Sequence, residues 1–168
     1  DRNKPTFYVT EDSGGGALTR FTPDPAVVAR AEATGDYSKV LTTMGKLEWL
    51  LMFPDGTNWK QGTISWTTNR SAARTDAARY FPGSEGIDIR NGMMYFVSKT
   101  RHFLFIIDLD KQTFVRSSTT SGAFSGQPDQ IRSLVGEDPD APMVYFCEDS
   151  GFDHGIHARD NDGNFYTI

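Results

Sequence analysis

The sequence predicts an all-β fold of β-propeller-like antiparallel meander sheets, an incomplete set of blades from a larger propeller. Three observations lead there. Short runs rich in β-branched and aromatic residues recur along the whole chain. Each run is bounded by glycine, proline or aspartate turn chemistry. Helix-forming composition is confined to two short alanine-rich stretches.

The first run, Thr6 to Thr10, leads through Ser13-Gly14-Gly15-Gly16 into Ala17 to Phe21, which reads as a hairpin closed by Pro23-Asp24-Pro25. Ala26 to Ala33 then predicts about two turns of helix, stopped at Gly35. Lys46 to Phe53 is a strand entering the Pro54-Asp55-Gly56 turn, and Ser71 to Ala78 is the second short helix. Met93 to Ser98, Phe103 to Leu109 and Phe114-Val115-Arg116 follow one another as a meander. Met143 to Cys147, Gly155 to Arg159 and Phe165 to Ile168 repeat the theme, with a tight turn at Asp162-Gly163. A β-sandwich gives much the same pattern. With roughly 40 to 50 residues to a blade, residues 1–168 correspond to about three to four blades of a single propeller segment. The last strand runs to the terminal residue with its edge uncovered, so the expectation is a partial domain completed by the rest of its parent chain or by a neighbouring chain.

Charge and hydropathy exclude several functions. Seventeen basic against twenty-two acidic residues give a net charge of −5, with no basic stripe to track a phosphate polymer, so nucleic acid is not an expected partner. The longest apolar run, Leu47 to Phe53, contains Glu48 and is too short to span a bilayer. A single cysteine, Cys147, excludes an internal disulfide; inside an apolar strand it is expected to be a small buried hydrophobe. No Gly-x-Ser-x-Gly elbow occurs, and the glycines at 14–16 lack the lysine of a phosphate-cradling loop. Asn69-Arg70-Ser71 is a glycosylation acceptor that has meaning only on a secretory route, and the expected location is secreted or extracytoplasmic.

The order of several motifs resembles the PhoX-type alkaline phosphatase family. Tyr8-Val9-Thr10-Glu11-Asp12 and Gly15-Gly16-Ala17-Leu18-Thr19-Arg20-Phe21-Thr22-Pro23-Asp24 are similar to its acidic turn and the strand after it. Gly45-Lys46-Leu47-Glu48-Trp49, Asn69-Arg70-Ser71-Ala72-Ala73, Ser84-Glu85-Gly86-Ile87 and Asn91-Gly92-Met93-Met94-Tyr95-Phe96-Val97-Ser98-Lys99 continue the series. Leu104 to Asp110, Gln127-Pro128-Asp129-Gln130-Ile131 and Phe146-Cys147-Glu148-Asp149 complete it. The resemblance implies a propeller whose axial cavity collects carboxylates around calcium, with iron in the complete family site. It implies a phosphate ester as the partner of an active metal-dependent phosphomonoesterase, or a protein or matrix partner for a non-catalytic propeller of the same ancestry. Two departures favour the second. Gly83 and Ser84 stand where the family usually carries an arginine before the Glu-Gly-Ile element, and Cys147 lies after the Pro-Asp element, away from the place of the family's iron-bridging cysteine.

Calcium takes six to eight oxygens, so a site needs carboxylates from several turns. Each beside a turn-forming residue or at a strand end, Glu85, Asp129 and Glu148 read singly as ordinary solvated acids; the resemblance implies them as the ligands, and the expectation is then that they lie close together. Asp12 and Asp149 are more readily read as caps of their own turns. Asp160-Asn161-Asp162-Gly163-Asn164 lacks the closing glutamate and flanking helices of an EF-hand and reads as a hairpin turn. His154 and His157, with Asp153, suggest a zinc or iron site by residue type, but on a strand residues three apart point to opposite faces. Trp49, Trp59 and Trp66 read as core between sheets.

Overall fold

The computed structural model describes residues 4–134, 142–150 and 154–168. Among them the chain is predominantly strand, and the strands form three four-stranded antiparallel meanders in sequence order. The first comprises β1 (Phe7–Val9), β2 (Thr19–Pro23), β3 (Gly45–Pro54) and β4 (Gln61–Thr67). The second comprises β5 (Ser84–Arg90), β6 (Met93–Ser98), β7 (Phe103–Asp108) and β8 (Thr113–Ser118). Its outer strand β8 joins β4 through Gln61–Val115, Gly62–Phe114 and Thr63–Thr113, so the two meanders share one sheet. The third, β9 (Pro128–Ser133), β10 (Val144–Glu148), β11 (Ile156–Arg159) and β12 (Phe165–Thr167), is separate, and β9 packs along β5. The expected propeller-like meander architecture is therefore present.

Helix is confined to the two expected places. In α1 (Pro25–Thr34), Asp24 accepts from the Ala26 N–H as N-cap, Pro25 presets the first turn, and Gly35 ends the helix at φ 70°. In α2 (Arg70–Tyr80), the N-cap is Asn69, whose side chain accepts from the Ala72 N–H at 3.1 Å. Asn69 of the acceptor tripeptide thus serves the helix.

Strand alternation places one core on each face of the second meander. On one face Met94, Phe96, Phe105, Ile107 and Phe114 pack with Leu50, Met52 and Ile64 of the first meander, with Ala73 and Ala77 of α2, and with Phe81. On the other, Val97 and Leu104 pack with Phe124, Ile131 and Phe146 of the third. Phe96 and Phe105 stack at 4.8 Å, and Phe81 meets both edge-on. The even-numbered residues Glu48, Leu50 and Met52 of β3 are buried while Leu47 and Phe53 are exposed, as a period of two requires.

Two details differ from expectation. Cys147 is exposed, because Phe146 and Glu148 take the inward positions of β10 and the residue between them must face out. Trp49 and Trp66 do pack against the first core, but Trp59 stands beside Tyr80 under two arginines.

Candidate functional site

The second meander carries a lysine to which each of the three meanders offers a carboxylate. Lys99 follows β6, and its Nζ lies 2.6 Å from Glu85 Oε1 at the start of β5. It lies 3.1 Å from Asp12 Oδ2 beyond β1 and 3.7 Å from Asp149 Oδ2 beyond β10. Local backbone chemistry sets this up. The Gly83 N–H donates to the Ser13 carbonyl at 2.9 Å, and the Gly83 carbonyl accepts from the Lys99 N–H at 2.8 Å. One residue thus ties the segment after β1 to the turn after β6. Gly83 sits at φ 63°, in the left-handed region that glycine adopts without steric cost. The Thr10 hydroxyl donates to the Glu85 carbonyl, which holds β1 against β5.

Gly86 explains the Glu-Gly-Ile element. A Cβ there would meet the backbone of Asp129, Gln130 and Ile131, so only glycine lets β5 approach β9 this closely. Beside it, Asp88 accepts from the Ser133 N–H at 2.7 Å and from Arg132 Nη1 at 3.2 Å, fastening the second meander to the third.

The electrostatics follow from the geometry. Hydrogen bonds to Glu85 and then Asp12 hold the Lys99 ammonium above the ordinary lysine range, so it is a permanent cation. Burial pushes the Glu85 carboxyl up; the Lys99 hydrogen bond opposes this, the Asp12 carboxyl adds to it, and the net direction is upward. A partly buried acid crowded by a second acid, with one ammonium shared among three, is the arrangement that produces this sign.

The three expected ligands have different fates. Glu85 is at the centre just described. Glu148 turns into the third meander, where its Oε2 meets His157 Nε2 at 3.0 Å and its Oε1 accepts from the backbone N–H groups of Ser125, at 3.2 Å, and Gly126. Both side chains are sealed, at 0% and 2% exposure, and His157 stacks on Phe124 at 4.3 Å. Asp129 accepts from Gln130 Nε2 at 3.2 Å. Among the described residues, no three of His, Cys, Asp and Glu stand where they could hold a metal ion. His154 is exposed ahead of β11 while His157 is buried, and Asp153 lies outside the described residues. Asp160 accepts from the Asn164 backbone N–H, the Asn164 side-chain amide and the Tyr166 hydroxyl, and Gly163 sits at φ 92°, as a hairpin turn requires.

Sequence reading passed over Lys99, Asp12 and Asp149 as a set. An Asp beside turn residues looks like a cap, and nothing local marks a lysine in a hairpin turn as the partner of acids 87 and 50 residues away. The one available signal was that all three fall inside motifs of the resemblance.

Fold and site together define a propeller-like all-β protein with an acid-ringed lysine where its meanders converge. No family model, no curated protein and no solved structure matches the chain. Among the described residues no helix is long and apolar enough to cross a membrane.

Proposed function

We propose that the chain is a non-catalytic PhoX-like propeller segment that serves as a protein- or matrix-binding module, with Lys99 as a tethered substitute for a bound cation. The observation that carries this reading is the position of Lys99 Nζ among Glu85, Asp12 and Asp149. An ammonium on a side chain offsets part of the charge of these carboxylates at every calcium concentration, whereas a free ion must be captured from solution. Calcium entering here would have to displace the Lys99 ammonium, which already holds the position between the three carboxylates and offsets part of their charge. Glu148 supports the same reading, because its two oxygens are committed to His157 and to two backbone N–H groups.

The second reading is a calcium-binding propeller, with iron in a complete site and phosphomonoesterase activity. It is favoured by one feature, the delivery of an acid from each of three meanders to one point. Hydrolysis of a chromogenic phosphate monoester, measured with calcium and iron supplied and with both chelated, separates the two. The binding-module reading expects no metal-dependent turnover, and turnover that disappears with Glu85→Gln would establish the phosphatase.

A further inference from the structure

Although the chain is acidic overall, three arginines gather at one place with no carboxylate in ion-pair range of them among the described residues. Arg79 ends α2, Arg101 lies in the β6–β7 turn, and Arg116 is on β8. Their common neighbour is Trp59, in the β3–β4 connection. Arg101 lies 5.7 Å and Arg79 6.0 Å from its ring, and Arg79 is also 5.0 Å from the Tyr80 ring. The Arg116 guanidinium sits 3.7 Å from the centre of the Phe103 ring.

Each contact fixes a guanidinium without neutralising it. Arg116 donates from Nε to the Trp59 carbonyl at 3.0 Å and from Nη2 to the Asn58 carbonyl at 2.6 Å. Arg101 donates from Nη2 to the Arg79 carbonyl at 2.9 Å. Burial and then the like charge of Arg101 push Arg116 down. The acid whose field reaches Arg79 is Asp76, and its Oδ2 already accepts the Met52 N–H at 2.6 Å. The backbone is also held in an uncommon form: Trp59 has φ 55° and His102, beside Arg101, has φ 53°. For a bulky residue that conformation costs energy and persists where surrounding contacts enforce it.

We propose that Arg79, Arg101 and Arg116 form a surface site for sulfate or phosphate ester groups carried on an extended polyanion. A tetrahedral oxyanion accepts hydrogen bonds from several directions, which suits the donors left on guanidinium groups supplied by three elements, whereas a carboxylate is matched by a single fork. Arg79 and Arg101 are exposed, so one isolated anion would be weakly held under screening by salt. A repeated anion gains by re-engagement, which is why the ligand is a polymer. The site is independent of what Lys99 binds.

The test measures binding of three probes at physiological salt: a heparin oligosaccharide for sulfate esters, a polyphosphoserine peptide for phosphate esters, and polyglutamate for carboxylates. Parent protein, Arg101→Gln, Arg79→Gln and the control Arg30→Gln on α1 are compared. The expected result is binding of heparin or polyphosphoserine, with the tighter of the two identifying the ester. Arg101→Gln and Arg79→Gln should each weaken it about fivefold with an unchanged melting temperature, while Arg30→Gln leaves it intact. No binding of either ester probe, equal binding of polyglutamate, or an equal loss in Arg30→Gln overturns the proposal.

Discussion

Glu148 and His157 meet at 3.0 Å inside the third meander, with the second imidazole nitrogen 3.2 Å from the Thr167 hydroxyl and the second carboxylate oxygen on the N–H groups of Ser125 and Gly126. The pair links β10, β11, β12 and the segment before β9 through one buried network. Such a network is stabilising when complete and costly when one member is removed, because the others cannot reach water.

Glu148→Ala should therefore lower stability by about 3 kcal/mol, since it strands an imidazole and two backbone donors. Chemical denaturation measures this. A loss below about 1 kcal/mol, the range of an exposed pair, would show that the network is open to solvent.

Gly86→Ala tests the approach of β5 to β9. A methyl group there meets backbone rather than a flexible side chain, so the expected cost is about 2 to 3 kcal/mol. Hydrogen exchange should show faster opening of β9, whose Ser133 N–H depends on Asp88 of β5. Unchanged stability would mean that the two meanders sit farther apart.

Much of this was legible in the sequence. Both helices announce themselves through alanine content, and the hairpin of β6 and β7 through apolar runs, while the caps at Asp24 and Asn69 read in the sequence as a turn and a glycosylation acceptor. By contrast β5 and β9 carry weak strand signals, whereas β4, Gln-Gly-Thr-Ile-Ser-Trp-Thr, is rich in β-branched and aromatic residues and yet is not among the strands expected from the sequence. β9 is Pro-Asp-Gln-Ile-Arg-Ser, largely polar, and β5 opens Ser-Glu-Gly with a bulge between Ser84 and Ile87. These strands are set by contacts with neighbouring meanders, a tertiary influence that local propensity does not record. The same limit applies to the site. The sequence singled out Glu85 for calcium, whereas Lys99, which lies 2.6 Å from its carboxylate, carried no local signal.

The pH dependence should have opposite signs at two glutamates. Burial pushes Glu48 up, but hydrogen bonds from Lys46 and Arg20 outweigh it and leave the carboxyl below its ordinary value of 4.5. Its contribution is present above that value and is lost as pH falls through the folded one. Glu85 is raised, so its contribution is present below 4.5 and is lost as pH rises through its folded value. Stability of the parent relative to Glu48→Gln should fall on acidification, and relative to Glu85→Gln it should fall as pH rises above that value. Denaturation midpoints between pH 3 and pH 7 give both differences. The same sign for both would contradict the assigned environments.

The most direct test of the central claim, that Lys99 stands where a cation would, is calorimetric titration of calcium into the parent and into Lys99→Met, with thermal unfolding of each in calcium and in chelator. The account predicts no calcium binding and no shift in melting for the parent. In Lys99→Met, where Glu85, Asp12 and Asp149 lose the ammonium that stands between them and can close on an ion, it predicts calcium uptake and higher melting in calcium than in chelator. Calcium binding by the parent, with stabilisation of about 2.7 kcal/mol at a hundredfold excess over the dissociation constant, would contradict it and establish the calcium-binding propeller.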